Sequence, residues 1–212
     1  MFNMLANIEQ AHLYQIADHS TGQILGTIAE KDSIQLYLFR QFTRLIRPFT
    51  IDILVNGKSY TMSRPFSLLN SKITTFKNGI DCGKVNTHWH PFRRQYDLYT
   101  KYNSNYNQFG RIDSPFFSWD FVIRDDTKQP RCYINRLFRG ALTELLTDQG
   151  LYVITFKDKS IQNPLNDNEK LSAIACAISI DYDYFSRHSG PFSTIGSNIQ
   201  LQRQRELPDA LK

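Results

Sequence analysis

No stretch of this chain is long and apolar enough to cross a bilayer as a helix. The longest apolar run, Leu171 to Ile180, is cut short by Asp181 and Asp183. A spanning helix needs roughly 20 predominantly apolar residues, and a charge near the bilayer centre costs about 2.5–3.5 kcal/mol even on lenient scales. Cysteine is scarce as well. Cys82, Cys132 and Cys176 are odd in number and far apart, with no Cys-x-x-Cys pair. That argues against a disulfide framework or a zinc site and fits a reducing, intracellular compartment. Met1 to Gly22 lacks the basic start and continuous apolar core of a secretory signal. With Glu9 present and the first arginine at Arg40, it is also a poor mitochondrial presequence. No serine sits in a nucleophile elbow, so nothing points to hydrolysis. No nucleic-acid-binding module is recognisable, and no nucleic acid is expected as a partner.

What is present suffices for one substantial core: 212 residues, of which 41% are hydrophobic. The net charge of +5 is compatible with an anionic lipid surface without being diagnostic of one. Short strand signals dominate. Ile24–Ala29 and Ile34–Phe42 are apolar-rich runs. Phe49, Ile51, Ile53 and Val55 alternate with their neighbours, Asn56-Gly57 supplies a type I′ turn, and Tyr60 and Met62 return. Asn78-Gly79 marks a second such hairpin. Further strands are expected at Gln95–Thr100, Trp119–Ile123, Cys132–Leu137 and Leu151–Phe156, with a polar loop at Asn103–Gln108 and a short helical turn at Ala141–Leu146. The tail after Gly190 is polar and aperiodic, so residues 191–212 are expected to be loosely ordered beside a single domain spanning 1–190.

The exception to the strand pattern is Leu171–Phe185. Pro164 precedes it, Asn166 is a good N-cap, and Glu169 completes a capping box. Its apolar stretch is too short to span a membrane and too apolar for a surface helix, so it reads as a core helix with Leu171, Ile174, Ala175, Ile178 and Phe185 facing protein. Four motifs recur ahead of it: Arg47-Pro48-Phe49, Arg64-Pro65-Phe66, His90-Pro91-Phe92 and Ser114-Pro115-Phe116. Each is read as a strand entrance, where proline is tolerated. Their unequal spacing opposes a solenoid or propeller and suits a meander closing into a barrel around the helix.

At these residues the chain resembles the phospholipid scramblase family, in particular its fungal mitochondrial branch. The stretches that carry the likeness are RPFTIDIL at Arg47–Leu54, SRPFSLLNSKI at Ser63–Ile73, THWHPFRRQYDLY at Thr87–Tyr99, SPFFSWDF at Ser114–Phe121, INRLFRGALTELLTDQGLYVI at Ile134–Ile154 and AISIDYDYFSRHSG at Ala177–Gly190. Several long motifs in order make this specific. The resemblance implies a tubby-like fold, a closed antiparallel β-barrel of about twelve strands around a hydrophobic C-terminal helix. It implies ATP-independent, bidirectional movement of phospholipids between leaflets, a membrane partner and a mitochondrial location, with calcium stimulation in several members. The chain departs from the family in four ways. Strand-forming sequence usually precedes the point matching Met1, so an N-terminal edge strand is expected to be missing. The cysteine cluster that animal members palmitoylate has no counterpart around Asn70-Ser71-Lys72. The presequence usual in the fungal branch is not expected in Met1–Gly22, which does not read as one. The calcium segment of animal members maps onto DQGLYVITFKD at Asp148–Asp158.

Asp148 and Asp158 are the candidate calcium ligands by family position. A calcium loop wants 6–8 oxygens, and the alternation of Leu151 to Phe156 reads instead as a turn followed by a barrel strand. Asp181 and Asp183, at i and i+2, do not share a helix face. His88 and His90 share a strand face but lack a third ligand. No cofactor is expected to be required. For lipid headgroups the candidates are Arg93, Arg94, Arg136 and Arg139, basic residues interleaved with aromatics, because guanidinium forks match phosphate oxygens and rings settle at the interface. Scattered arginine is more commonly a solvated surface. Two functions follow: phospholipid movement between leaflets, or a peripheral module that binds anionic lipid or a protein and moves nothing. No covalent chemistry is expected from either.

Overall fold

The computed structural model describes residues 2–8, 13–18, 20–30, 48–67, 70–137 and 151–185. Twelve strands follow one another: β1 Phe2–Ile8, β2 Leu13–Asp18, β3 Ile24–Glu30, β4 Phe49–Val55, β5 Lys58–Arg64, β6 Lys72–Lys77, β7 Ile80–His88, β8 Arg93–Tyr102, β9 Asn105–Pro115, β10 Asp120–Arg124, β11 Pro130–Leu137 and β12 Leu151–Thr155. Helix α1, Asp167–Ile180, runs into a π-helical turn, Asp181–Phe185. Each strand pairs antiparallel with its sequence neighbours, and β1 pairs with β12 (Phe2 opposite Ile154, Met4 opposite Tyr152), so the sheet closes into a barrel. β1 thus takes the place where an edge strand was expected to be missing, and no strand among the described residues is left with an unpaired edge.

The hairpins form where the sequence asks for them. Asn56 and Gly57 have φ of 49° and 73°, and Asn78 and Gly79 have 51° and 78°, the left-handed pair that a type I′ turn requires. β4 and β5 then align Phe49 with Arg64 and Val55 with Lys58. Alternation sends Phe49, Ile51 and Ile53 into the barrel with Met62, Ile73, Val85, Leu98, Ile112 and Ile134 from other strands. The expected polar loop at Asn103–Gln108 is a correction. Only Asn103 and Ser104 turn, both at positive φ, and β9 begins at Asn105. Asn105, Asn107, Gln108, Arg111 and Asp113 face outward while Phe109 and Ile112 face in.

α1 fills the lumen. Asn166 Oδ1 accepts from the Glu169 amide and Glu169 Oε2 accepts from the Asn166 amide, the capping box read from sequence. Leu171, Ala175 and Ile178 are buried, while Ile174 and Phe185 are partly buried against the core. Ser172, Ala173, Ala175, Cys176, Ala177 and Ser179 keep the helix slim enough for a barrel whose wall already projects large side chains. At Gly83 the helix touches the wall: a Cβ there would sit 2.6 Å from Ser172 Oγ and 2.7 Å from the Tyr99 carbonyl.

The four proline motifs need correcting. Only Pro48 and Pro91 stand just before strands; Pro65 follows β5 and Pro115 ends β9. In an antiparallel meander the starts of β4, β6, β8 and β10 and the ends of β5, β7, β9 and β11 lie together, so all four motifs mark one end of the barrel. The run expected at Ile34–Phe42, the turn at Ala141–Leu146 and the tail from 191 lie outside the described residues.

Candidate functional site

α1 leaves the lumen at the proline-marked end, and most of the chemistry collects there. Arg93 and Arg94 are adjacent in sequence, but strand geometry sends them to opposite faces. Arg93 faces solvent, where its Nε donates to Asp113 Oδ1 at 2.6 Å and its Nη2 to the Asp113 carbonyl at 3.1 Å. That bond raises the Arg93 pKa and lowers that of Asp113. Arg94 faces inward and is 4% exposed. Its Nη1 donates to the Ser118 carbonyl at 3.2 Å, and its guanidinium carbon lies 4.1 Å from the Tyr184 ring, 4.7 Å from Phe185, 5.2 Å from Phe116 and 5.6 Å from Phe121. Its Nε has no hydrogen-bond partner, and no carboxylate among the described residues pairs with it. Burial pulls its pKa down from the ordinary arginine value. The result is a desolvated cation held by π-faces, an interaction worth about 2 kcal/mol or more per well-placed ring when water is excluded.

Arg136 on β11 approaches the same place from the other side. It is buried, lies 4.1 Å from the Phe185 ring and 4.7 Å from Trp119, and meets the Tyr152 hydroxyl. Two of the four candidate arginines therefore share one ring, Phe185, although the sequence places them far apart. Arg139 lies outside the described residues. Phe116, Trp119 and Tyr184 complete the cluster and were not singled out from sequence. The signal was the aromatic density of SPFFSWDF and DYDYF, but nothing local says that the two segments meet.

Just inside this cluster the lumen is polar. Arg64 Nη1 donates to Asp183 Oδ1 at 2.7 Å, and Tyr96 and Ser179 hydroxyls donate to Asp183 Oδ2 at 3.2 and 3.1 Å. The Tyr152 hydroxyl donates to Asp181 Oδ1 at 2.8 Å, and the Tyr182 hydroxyl to Glu30 Oε2 at 3.0 Å. Burial pushes the Tyr96 and Tyr152 phenols well above their ordinary value, and the facing aspartates push the same way. The two aspartates turn to different walls, as the i, i+2 spacing implies. At the far end of α1, Arg131 donates to Glu169 Oε2 at 3.2 Å and to the Asn163 carbonyl at 2.7 Å. The apolar helix is thus pinned at both ends by buried charge.

Among the described residues no three His, Cys, Asp or Glu side chains converge as a metal site would need. Asp158 Oδ1 accepts from the Ser160 amide at 2.9 Å and the Ser160 hydroxyl at 2.6 Å, which lowers its pKa. Asp148 lies outside the described residues. Tyr152 and Ile154 are buried on alternate positions of β12, the strand read from the pattern. His88 and His90 do not share a strand face, contrary to expectation: β7 ends at His88, which meets Asp97 Oδ2 at 2.7 Å, while His90 sits in the following loop and accepts from the Phe92 amide. Cys82, Cys132 and Cys176 are buried, and burial raises each thiol's pKa. No described helix is long and apolar enough to cross a membrane.

The family model described as Scramblase matches residues 1–187. The Saccharomyces cerevisiae protein named altered inheritance rate of mitochondria protein 25 is 34% identical over 92% of this chain and 71% of its own length. A phospholipid scramblase family protein of Schizosaccharomyces pombe is 34% identical over 94% of this chain and 60% of its own length. This chain therefore spans less than two thirds of that second relative. No solved structure matches it.

Proposed function

The chain belongs to the scramblase family, and on that footing we propose that it engages phospholipids at a membrane surface and moves them between leaflets without ATP. The observation that carries the headgroup part is Arg94. A buried charge is ordinarily paired, because removing it from water costs several kcal/mol. Arg94 has rings and one carbonyl instead of a carboxylate, and it lies at the proline-marked end of the barrel near Arg136. A phosphodiester oxygen is the anion that such a pair suits, through guanidinium forks with aromatic faces around them. Arg94 and Arg136 are the headgroup residues of this proposal. Arg93, already held by Asp113, contributes a surface charge at most.

Calcium is not proposed as a requirement, because among the described residues no cluster of acidic side chains forms around Asp158. The relative named for mitochondrial inheritance supports a mitochondrial membrane as the site of action, and the basic balance of the chain supports a preference for anionic lipid.

A second reading is favoured by the helix. Carrying a charged headgroup across hydrocarbon needs a polar path. The polar groups of the lumen are instead engaged with one another around a sealed helix. A peripheral module that binds phospholipid and moves none accounts for that arrangement. Leaflet exchange of a labelled phospholipid in proteoliposomes, with calcium and with chelator, separates the two. Exchange in both conditions supports the transport reading without a calcium switch. Exchange only with calcium restores Asp148 and Asp158 as ligands. No exchange from folded, bound protein leaves the peripheral module.

A further inference from the structure

Three of the connections at the proline-marked end have an unusual composition. The connections after β5, β7 and β9 read PFSLLNS, WHPF and FFSW, and none contains an acidic or a basic residue apart from His90. Their aromatic side chains are out in solvent: Phe117 is 85% exposed, Phe92 76%, Trp89 57% and Phe66 54%, with Phe116 and Trp119 lower at the base. Leaving so many large rings in water runs against the hydrophobic effect, and a contiguous exposed apolar patch on a folded domain marks an interaction site. The loops form one crest. The Trp89 amide donates to Asn70 Oδ1 at 2.9 Å, tying the second loop to the first, and the Phe116 amide donates to the Phe92 carbonyl at 3.1 Å, tying the third to the second. Phe116 packs on Tyr184 and Trp119 on Phe185, so the crest stands on the arginine cluster where α1 emerges. The opposite end exposes Ile24, Leu54, Ile80 and Tyr102 at strand ends, but its turns are built from Asn56-Gly57, Asn78-Gly79 and Asn103-Ser104 and carry no rings.

We infer that this crest is the membrane-inserting surface of the protein, with Phe66, Trp89, Phe92 and Phe117 entering the interfacial zone of a phospholipid bilayer and the barrel standing end-on to it. The occupant is lipid because the three described tips carry rings and no carboxylate, with Arg93 at the adjoining start of β8 and Arg94 beneath the rings. Tryptophan and other aromatic rings favour that depth. End-on docking brings the Arg94 and Arg136 cluster directly beneath the headgroups, which the barrel wall would not do. The inference deepens the phospholipid reading above and rests on it.

The chain itself provides the reporter, since it contains two tryptophans, Trp89 and Trp119, and both lie in the crest. Full-length protein is mixed with vesicles of phosphatidylcholine and phosphatidylserine, with and without brominated acyl chains. Emission is expected to shift to the blue, and brominated lipid is expected to quench it. Phe92→Ser and Phe117→Ser, both at exposed positions, are each expected to lower the vesicle partition coefficient about tenfold, with circular dichroism and thermal melting unchanged. Co-sedimentation with vesicles but no emission shift or quenching, or full binding by the double variant, overturns the crest and leaves the phospholipid reading standing. No co-sedimentation at all overturns both. Self-association lost in F92S/F117S, with no vesicle binding, would assign the crest to a second copy of the chain.

Discussion

The ion pair between Arg64 and Asp183 is the sharpest place to test how the helix is held. The side chains are each 3% exposed and 2.7 Å apart, and the pair joins the end of β5 to the turn that terminates the helix. Arg64→Met keeps most of the stem but leaves Asp183 as a buried carboxylate with only the Tyr96 and Ser179 hydroxyls donating to it. Breaking a buried pair by removing one partner costs about 3–5 kcal/mol. The two remaining donors place the expected value near the bottom of that range, about 3 kcal/mol. With a urea slope of about 2–3 kcal/mol/M, the midpoint should fall by about 1–1.5 M. Asp183→Leu removes the carboxylate that faces the buried Arg64 guanidinium and should lose a similar amount. The double variant R64M/D183L removes both charges and should recover about 2–3 kcal/mol relative to the sum of the single losses. Urea titrations followed by far-ultraviolet circular dichroism give all four corners of the cycle. Additive losses, or a single variant that falls by less than about 1 kcal/mol, would refute the claim that this pair locks the helix end into the barrel.

The remaining expectations concern the helix contact, the headgroup cation and alkaline pH. Gly83→Val adds a Cβ that would meet both the Tyr99 carbonyl and Ser172 Oγ at under 3 Å, so it should destabilise by at least the 1–3 kcal/mol typical of overpacking, read as a lowered melting temperature. Arg94→Met removes a desolvated charge while keeping a long side chain among the same rings. It should change stability by no more than about 1 kcal/mol and yet weaken binding to anionic vesicles, and a large loss of stability with unchanged binding would make Arg94 purely structural. Tyr96 and Tyr152 are raised well above the ordinary phenol value by burial, so the folded state prefers the protonated form. Their contribution is fully present below about pH 10 and is lost as pH rises through the raised values. Phenolate absorbance should therefore show tyrosines that ionise only as the barrel unfolds at alkaline pH, and reversible ionisation in folded protein would contradict this.

Local chemistry made much of the fold legible. The two Asn-Gly turns need left-handed backbone that few residues supply, and both formed. The capping box formed between Asn166 and Glu169 because its partners are three residues apart. β9 was missed because NYNQFGRIDSP is too polar to show alternation; pairing along the whole length of β8 makes it a strand. Arg93 and Arg94 looked like one patch in sequence, yet strand periodicity alone could have separated them. The four proline motifs could also have been placed together by counting strands, had β9 been recognised.

By itself, then, the sequence determined what depends on neighbours within a few residues: hairpin turns, inward and outward faces, the start of the helix and its inability to span a bilayer. The tertiary structure decided what depends on closure. Asp183 meets Arg64 across 119 positions and Arg94 meets Tyr184 across the barrel. The aromatic loops became one crest only when an antiparallel meander brought alternate strand ends to the same rim. Those contacts arise from strand register and barrel curvature, which every pairing sets jointly and no single segment encodes.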